Sequence, residues 1–133
     1  MYIHPYYNLR VAYILSYHSA MLDFYRKNDC VYVGEQTLIQ CWGKIRLWIN
    51  VSSLMGYLMR NGLVNGPDDM DAISSPYLTA AVKQTNLMQL LSANGGGNGH
   101  FLFYMSLCES LESNPLGHGD AVDELKRRGE FYY

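Results

Sequence analysis

The chain of 133 residues is 49% hydrophobic and 17% charged, a size and composition typical of one globular domain. Its formal net charge of −2 shows no excess of Lys and Arg, so neither nucleic acid nor a membrane surface is an expected partner. Cys30, Cys41 and Cys108 are too few and too scattered for a disulfide scaffold, which favours reduced thiols and a cytoplasmic location.

The first 34 residues are rich in tyrosine and show a helical pattern from about Leu9 to Arg26. Arg10 and His18 make this pattern too polar to cross a bilayer and unlike the apolar part of a secretory signal. We expect the segment to pack on the rest of the chain, because apolar stripes are usually buried. The alternative is an exposed arm whose aromatic side chains bind a partner.

The next segment predicts a helix over about Gln36 to Asn50, because apolar residues recur there at helical spacing. These residues form one stripe along the helix: Leu38, Trp42, Ile45 and Ile49. Lys44 and Arg46 fall outside the stripe, so both cations should face solvent.

A second helix is predicted over about Ser52 to Asn61, and Gly62 suits the left-handed conformation that follows a helix end. A third helix of little more than two turns begins at Pro67, since the first helical position needs no N–H donor. Three acids crowd its start: Asp68, Asp69 and Asp71. Acids in a first turn gain about 0.3 to 1 kcal/mol each from the helix dipole, which accounts for the first two without any partner.

A fourth helix is predicted from Pro76, which repeats the start signal, to near Asn94. Its expected buried face consists of Leu78, Ala81, Val82 and Met88. The stretch "NGGGNG" from Asn94 to Gly99 must be a loop, because each glycine would cost a helix about 1 kcal/mol relative to alanine.

The fifth and sixth helices complete the predicted order. The fifth has an apolar stripe that consists of Phe101, Tyr104, Leu107, Cys108 and Leu111. Pro115 with Gly117 and Gly119 should then break the chain. The sixth helix, "DAVDELKRRG", opens with acids and closes with bases, as the helix dipole favours, and Val122 and Leu125 should dock it.

Residues that could carry chemistry do not form a recognisable constellation. The four histidines lack the companion spacing of a zinc site and are expected to be exposed or capping: His4, His18, His100 and His118. Cys108 lies more than two helical turns from His100, so it is expected to be a small core residue rather than a nucleophile. The glycine loop lacks the G-K-[ST] of a phosphate loop, and the aspartates lack the spacing of a calcium loop. We therefore predict a protein that is not an enzyme and needs no cofactor or metal.

Two pairs of stretches resemble a known family. They are "YLMRNGLV" with "GPDDMDAI", and "NLMQLLSANG" with "FLFYMSLCESLESNPL". The order of helices and breaks from Gln36 to Gly129 resembles the caspase recruitment domain, or CARD, of the death-fold superfamily. This resemblance implies an all-α, six-helix antiparallel bundle at residues 35–133, with residues 1–34 as an additional N-terminal helical segment.

The resemblance also implies a function. CARDs bind other CARDs and build oligomers or filaments that recruit signalling proteins in apoptosis and innate immunity, including inflammasome signalling. The expected partners are a second copy or a CARD of a caspase, kinase or receptor. Contacts of this family imply a basic surface, defined by Lys44, Arg46 and Lys83, and an acidic surface, defined by Asp68, Asp69 and Asp71. Apolar contact would come from Trp48, Tyr57 or Tyr77.

The alternative is a small α-helical DNA-binding or regulatory protein of another class. Such a protein needs a basic recognition helix, and the candidate helices here carry too few Lys and Arg residues.

Overall fold

The computed structural model describes residues 9–112 and 115–129, and these residues form eight α-helices and no β-strand. The helices are α1 (Leu9–Leu15), α2 (Ser19–Lys27), α3 (Glu35–Ile45), α4 (Val51–Arg60), α5 (Pro67–Ser74), α6 (Ala80–Ala93), α7 (Gly99–Glu109) and α8 (Pro115–Arg128). A 3-10 turn, Ser110–Glu112, follows α7. The all-α class is thereby confirmed. His4 and the other residues of the tyrosine-rich segment before Leu9 lie outside the described residues.

Helix α7 is the centre of the fold, with α2, α3, α4, α6 and α8 packed around it. Its predicted stripe was too narrow, because Leu102 and Phe103 are buried as well as Phe101, Tyr104 and Leu107. A helix that is apolar on all sides must be covered on all sides. The sequence of α7 therefore fixes its central position.

The N-terminal segment is helical over the predicted range, but a break divides it into the two helices α1 and α2. The Ser16 hydroxyl donates to the carbonyl of Tyr13 at 2.6 Å, and His18 is extended at the start of α2. Serine offers the backbone such local hydrogen bonds in competition with a continuing helix. After this break α2 contacts α7.

Helix α2 packs into the common core, as expected for this segment. Met21 and Tyr25 are buried, and the Phe24 ring meets Phe101 and Tyr104 edge to face, with centroids 5.8 and 5.7 Å apart. Such aromatic pairs add about 0.5 to 1.5 kcal/mol each beyond their buried area. Residues of α1 and α2 thus share one hydrophobic core with α3 to α8.

Helix α3 buries Leu38, Trp42 and Ile45 as predicted, but it ends at Ile45 rather than Asn50. The chain turns at once, with the Trp48 N–H donating to the Ile45 carbonyl at 2.9 Å. Asn50 instead caps α4, since its side chain accepts from the Ser53 N–H at 3.2 Å. An asparagine cap of this type stabilises a helix start by about 1 kcal/mol.

Two local signals for α4 and α5 are confirmed. Gly62 follows α4 with φ of 76°, the left-handed conformation that glycine adopts without strain. Pro67 begins α5, where its missing N–H leaves no hydrogen bond unmade. Ile73 then turns into the core.

Helix α6 begins at Ala80 rather than Pro76, because the Thr79 side chain caps it by accepting from the Val82 N–H at 3.2 Å. The predicted apolar face is confirmed only in part, because Leu78 and Met88 are half-buried. Leu87 and Leu91 are buried, whereas Ala81 and Val82 are exposed. The buried side of α6 is the side that contacts α5 and α7, and the spacing of apolar residues alone does not identify it.

The glycine-rich stretch forms the predicted loop over residues 94–98, with positive φ at Gly95, Gly96 and Gly97, while its last residue already belongs to a helix. Helix α7 starts directly after it at Gly99, which is buried against α6. A Cβ at Gly99 would overlap the carbonyl oxygen of Leu91 and lie 2.8 Å from that of Asn94. The absence of a side chain at Gly99 is therefore what lets α6 and α7 approach.

Helix α8 contains the stretch that was predicted to break the chain, running from Pro115 through Gly117 and Gly119. A Cβ on Gly117 would lie 2.5 Å from the carbonyl oxygen of Trp48, so this glycine serves close packing rather than a turn. Val122 and Leu125 dock the helix, as expected.

Candidate interaction surfaces

The structure divides the predicted basic surface into two parts. Lys44 lies with its ammonium 3.3 Å from the carboxylate of Glu124, on the side where α3 meets α8. The Arg127 guanidinium contacts both oxygens of the same carboxylate at 2.7 Å, and Arg128 approaches it at 3.6 Å. The Arg127 guanidinium, and then the Lys44 ammonium, hold the pKa of Glu124 below its ordinary value. Three cations therefore share one carboxylate, which leaves this side positive.

Arg46 and Lys83 lie together on a different part of the surface. Both line a groove of about 160 Å³ between α3, α4, α5 and α6, here called the α3–α6 groove. Its apolar walls are Trp42, Val51, Ile73, Ala80 and Leu87. Neither Arg46 nor Lys83 forms an ion pair with any residue that the structure describes.

The acidic surface is more uniform than the basic one, because all three aspartates lie on α5. Asp69 has a structural contact, since its carboxylate accepts from the backbone N–H of Asn65 at 2.9 Å. Asp68 and Asp71 are exposed, and neither forms an ion pair within the described ranges 9–112 and 115–129. Asp68 and Asp71 are therefore the acids that remain available to a partner.

Of the three aromatic residues considered for contact, Tyr77 is 95% exposed, while Trp48 and Tyr57 are half-buried. The guanidinium of Arg60 lies 5.0 Å above the Tyr57 ring, so that ring already has a cationic neighbour. Tyr77 is consequently the aromatic side chain that offers most surface.

The histidines were expected to be exposed or capping, and His118 is not exposed, because it is fully buried. The Nε2 atom accepts from the Asn50 N–H at 2.9 Å, which requires the ring hydrogen to be on Nδ1. Nδ1 lies 2.6 Å from the Ser110 hydroxyl, and this hydroxyl donates to the Leu107 carbonyl at 2.7 Å. The neutral imidazole thus joins α8 to the end of α7 and to the start of α4.

His100 is also buried, and its Nε2 atom meets no partner among the described residues. Burial lowers the pKa of both His100 and His118 from the ordinary value of 6.5. The cysteines behave in the opposite sense, because burial raises the pKa of Cys30 and Cys41 and takes that of Cys108 to about 11. Thiols in this state are poor nucleophiles.

A second cavity, of about 290 Å³, lies where the glycine loop meets the start of α3. Its polar lining includes Glu35, Ser92, Asn98 and His100.

In the part of the chain that the structure describes, no group of three or more His, Cys, Asp and Glu side chains lies close enough together to hold a metal ion. None of the described helices combines the length and the apolar character that crossing a bilayer requires.

We expect the protein to lose stability as the pH falls below about 6.5, because of its two buried histidines. The unfolded chain takes up protons near the ordinary pKa, whereas the folded state, with its lowered pKa, does so only at lower pH. The free energy of unfolding is therefore highest above the ordinary histidine pKa, and it decreases as the pH falls through that value. Urea unfolding at a series of pH values measures this dependence.

Comparison of the variants His118→Gln and His18→Gln tests whether the pH dependence of stability comes from the buried imidazole of His118. His118→Gln should reduce the dependence on pH, while His18→Gln should leave it unchanged, because His18 is exposed at the start of α2. Equal pH dependence in both variants would contradict the assignment.

Sequence reasoning missed Glu124 and Trp42 as parts of these surfaces. The ion pairs of Glu124 with Arg127 and Arg128 could have been predicted from the sequence, because these arginines follow it at the helical spacings i+3 and i+4. The contact with Lys44 was not, since 80 positions separate the two residues.

Comparison with protein-family models, with curated proteins and with solved structures yields no match to this chain.

Proposed function

We propose that this protein is a non-enzymatic, CARD-type interaction module that assembles with itself or with other CARD proteins in apoptotic or innate immune signalling in the cytoplasm. The observation that carries the proposal is exposed charge of both signs that stays unpaired within the described residues. Asp68 and Asp71 on α5 and Arg46 and Lys83 at the α3–α6 groove find no ion-pair partner within the described part of their own chain.

The helix order supports this proposal. The described residues from 35 onward, 35–112 and 115–129, form six α-helices, α3 to α8, the number that a CARD-like bundle requires. The third of these is the short acidic helix, and the fifth is the apolar central helix. In this proposal α1 and α2 are additions to the six-helix bundle, and α2 joins it by packing on α7.

Unpaired charges of opposite sign on one molecule favour a head-to-tail contact, in which the acids of one copy meet the bases of the next. Such a contact joins unlike surfaces, so it can repeat from copy to copy without closing, which generates a filament. Exposed ion pairs contribute only about 0 to 1 kcal/mol each, so they select partner and register rather than supply affinity. Affinity then comes from repetition along the filament and from apolar contact, for which Tyr77 offers the most area.

Lys44 has a secondary part in this contact. Its charge is shared with Glu124, but Arg127 and Arg128 surround the same carboxylate, and their side chains are 58% and 57% exposed. The basic surface therefore extends from Lys44 onto the end of α8, and Arg46 with Lys83 forms its other part.

The test is the size of the assembly across a salt series. We expect filaments or large oligomers at about 50 mM NaCl that dissociate toward about 500 mM, because salt screens exposed charges. Negative-stain microscopy and light scattering measure the size. Circular dichroism at each salt concentration serves as the control, since helical content should not change. A chain that stays monomeric at every concentration and salt level contradicts the proposal, and so does an assembly that salt strengthens.

A further inference from the structure

The α3–α6 groove combines an apolar interior with unpaired hydrogen-bond donors. Val51, Ile73 and Leu87 come from three different helices and give it apolar walls. The Trp42 indole forms another wall, and its N–H is buried without an acceptor among the described residues. Arg46 and Lys83 add a guanidinium and an ammonium. Apart from the Gln84 amide, which both donates and accepts, the polar side chains of the groove can only donate.

The guanidinium and the ammonium are positively charged donors, so they favour a ligand whose acceptor group carries negative charge. A carboxylate accepts from a guanidinium through two parallel hydrogen bonds and attracts an ammonium without needing a fixed geometry. Lys83 is half-buried and lines the groove together with its apolar walls, and a lysine in such a place can cover apolar surface with its stem. The occupant must therefore carry an acid group next to an apolar body.

The size of the groove decides between a small molecule and a segment of protein. An apolar cavity of about 150 Å³ accommodates one benzene ring, and this groove measures about 160 Å³. An amphipathic helix needs a longer groove, with anchors at several successive turns. The volume therefore favours an apolar body of about one ring.

We propose that the α3–α6 groove binds a small organic carboxylate whose apolar body is about the size of one ring. The apolar body lies against Val51, Ile73 and Leu87, and the carboxylate lies between Arg46 and Lys83. This binding occurs on a single copy of the chain and does not depend on the proposed assembly.

Benzoate, benzamide and benzamidinium test the proposal, because they share one shape and differ in charge. The titration uses a variant with Asp68→Lys and Asp71→Lys, which lacks the acids of the proposed assembly, so failure here is distinct from failure of that assembly. It also carries Trp48→Phe, so that the one remaining indole N–H signal in the NMR spectrum comes from Trp42. We expect benzoate to shift this signal with an affinity about tenfold above that of benzamide. Benzamidinium should bind most weakly.

Two controls separate charge from shape. Arg46→Gln with Lys83→Gln should remove the preference for benzoate over benzamide, while Lys27→Gln, an exposed cation on α2, should leave it intact. Acetate, which has the charge without the ring, should bind more weakly than benzoate. Equal binding of benzoate and benzamide overturns the proposal, as does equal binding of benzoate and acetate. A Trp42 signal that no compound shifts overturns it as well.

Discussion

Asp68→Lys with Asp71→Lys is expected to abolish assembly while leaving the helical content unchanged. Both aspartates are exposed and free of ion pairs within the described residues, so their reversal breaks no ion pair there and costs α5 only the dipole interaction of Asp68, about 0.3 to 1 kcal/mol. At the proposed contact it places like charges opposite Arg46 and Lys83, and repulsion repeats at every junction of a filament. Light scattering of the purified variant, at the lowest salt of the series, measures the loss.

The matched control reverses two other exposed aspartates, Asp23 and Asp120, and so makes the same change in net charge. This control should assemble like the parent protein. Mixing the Asp68→Lys, Asp71→Lys variant with an Arg46→Glu, Lys83→Glu variant should restore assembly, because the reversed surfaces again complement each other. If the acidic variant assembles as well as its parent, the acids of α5 serve only the helix start.

Gly99→Ala is expected to destabilise the fold by about 3 kcal/mol or more, at the upper end of the cost of overpacking a core. The new methyl group would overlap the Leu91 carbonyl oxygen, which belongs to the backbone of α6 and cannot rotate away. Relief requires α6 and α7 to separate, and α7 is the helix on which five others pack. Urea unfolding followed by circular dichroism measures the change in the free energy of unfolding.

Gly56→Ala is the matched control for this substitution. Gly56 lies in the middle of α4, is exposed, and has open space where a Cβ would stand. Alanine there should raise the free energy of unfolding by up to about 1 kcal/mol, because glycine is the poorer helix former. Similar effects of the two substitutions would show that α6 and α7 do not depend on close approach at Gly99.

The sequence identified several charged residues of the candidate surfaces but not how the fold arranges them. Arg46 and Lys83 were named as parts of one basic surface, and the structure brings them to one groove. Lys44 was named with them, yet it lies against Glu124. Helical spacing shows which side chains leave the core of their own helix. It gives no information on which residues of other helices they meet.

The sequence by itself determined the all-α class, the loop at "NGGGNG", the end of α4 at Gly62 and the start of α5 at Pro67. These features are local, because backbone conformation and missing N–H groups act within a few residues. Only the tertiary structure decided the early start of α8, the buried face of α6 and the burial of His118. Each of these depends on a contact with a residue distant in sequence, as when the Asn50 N–H donates to His118 across 68 positions. Hydrogen bonding and close packing between helices outweigh local preference at such sites, because buried polar groups must find partners wherever the fold supplies them.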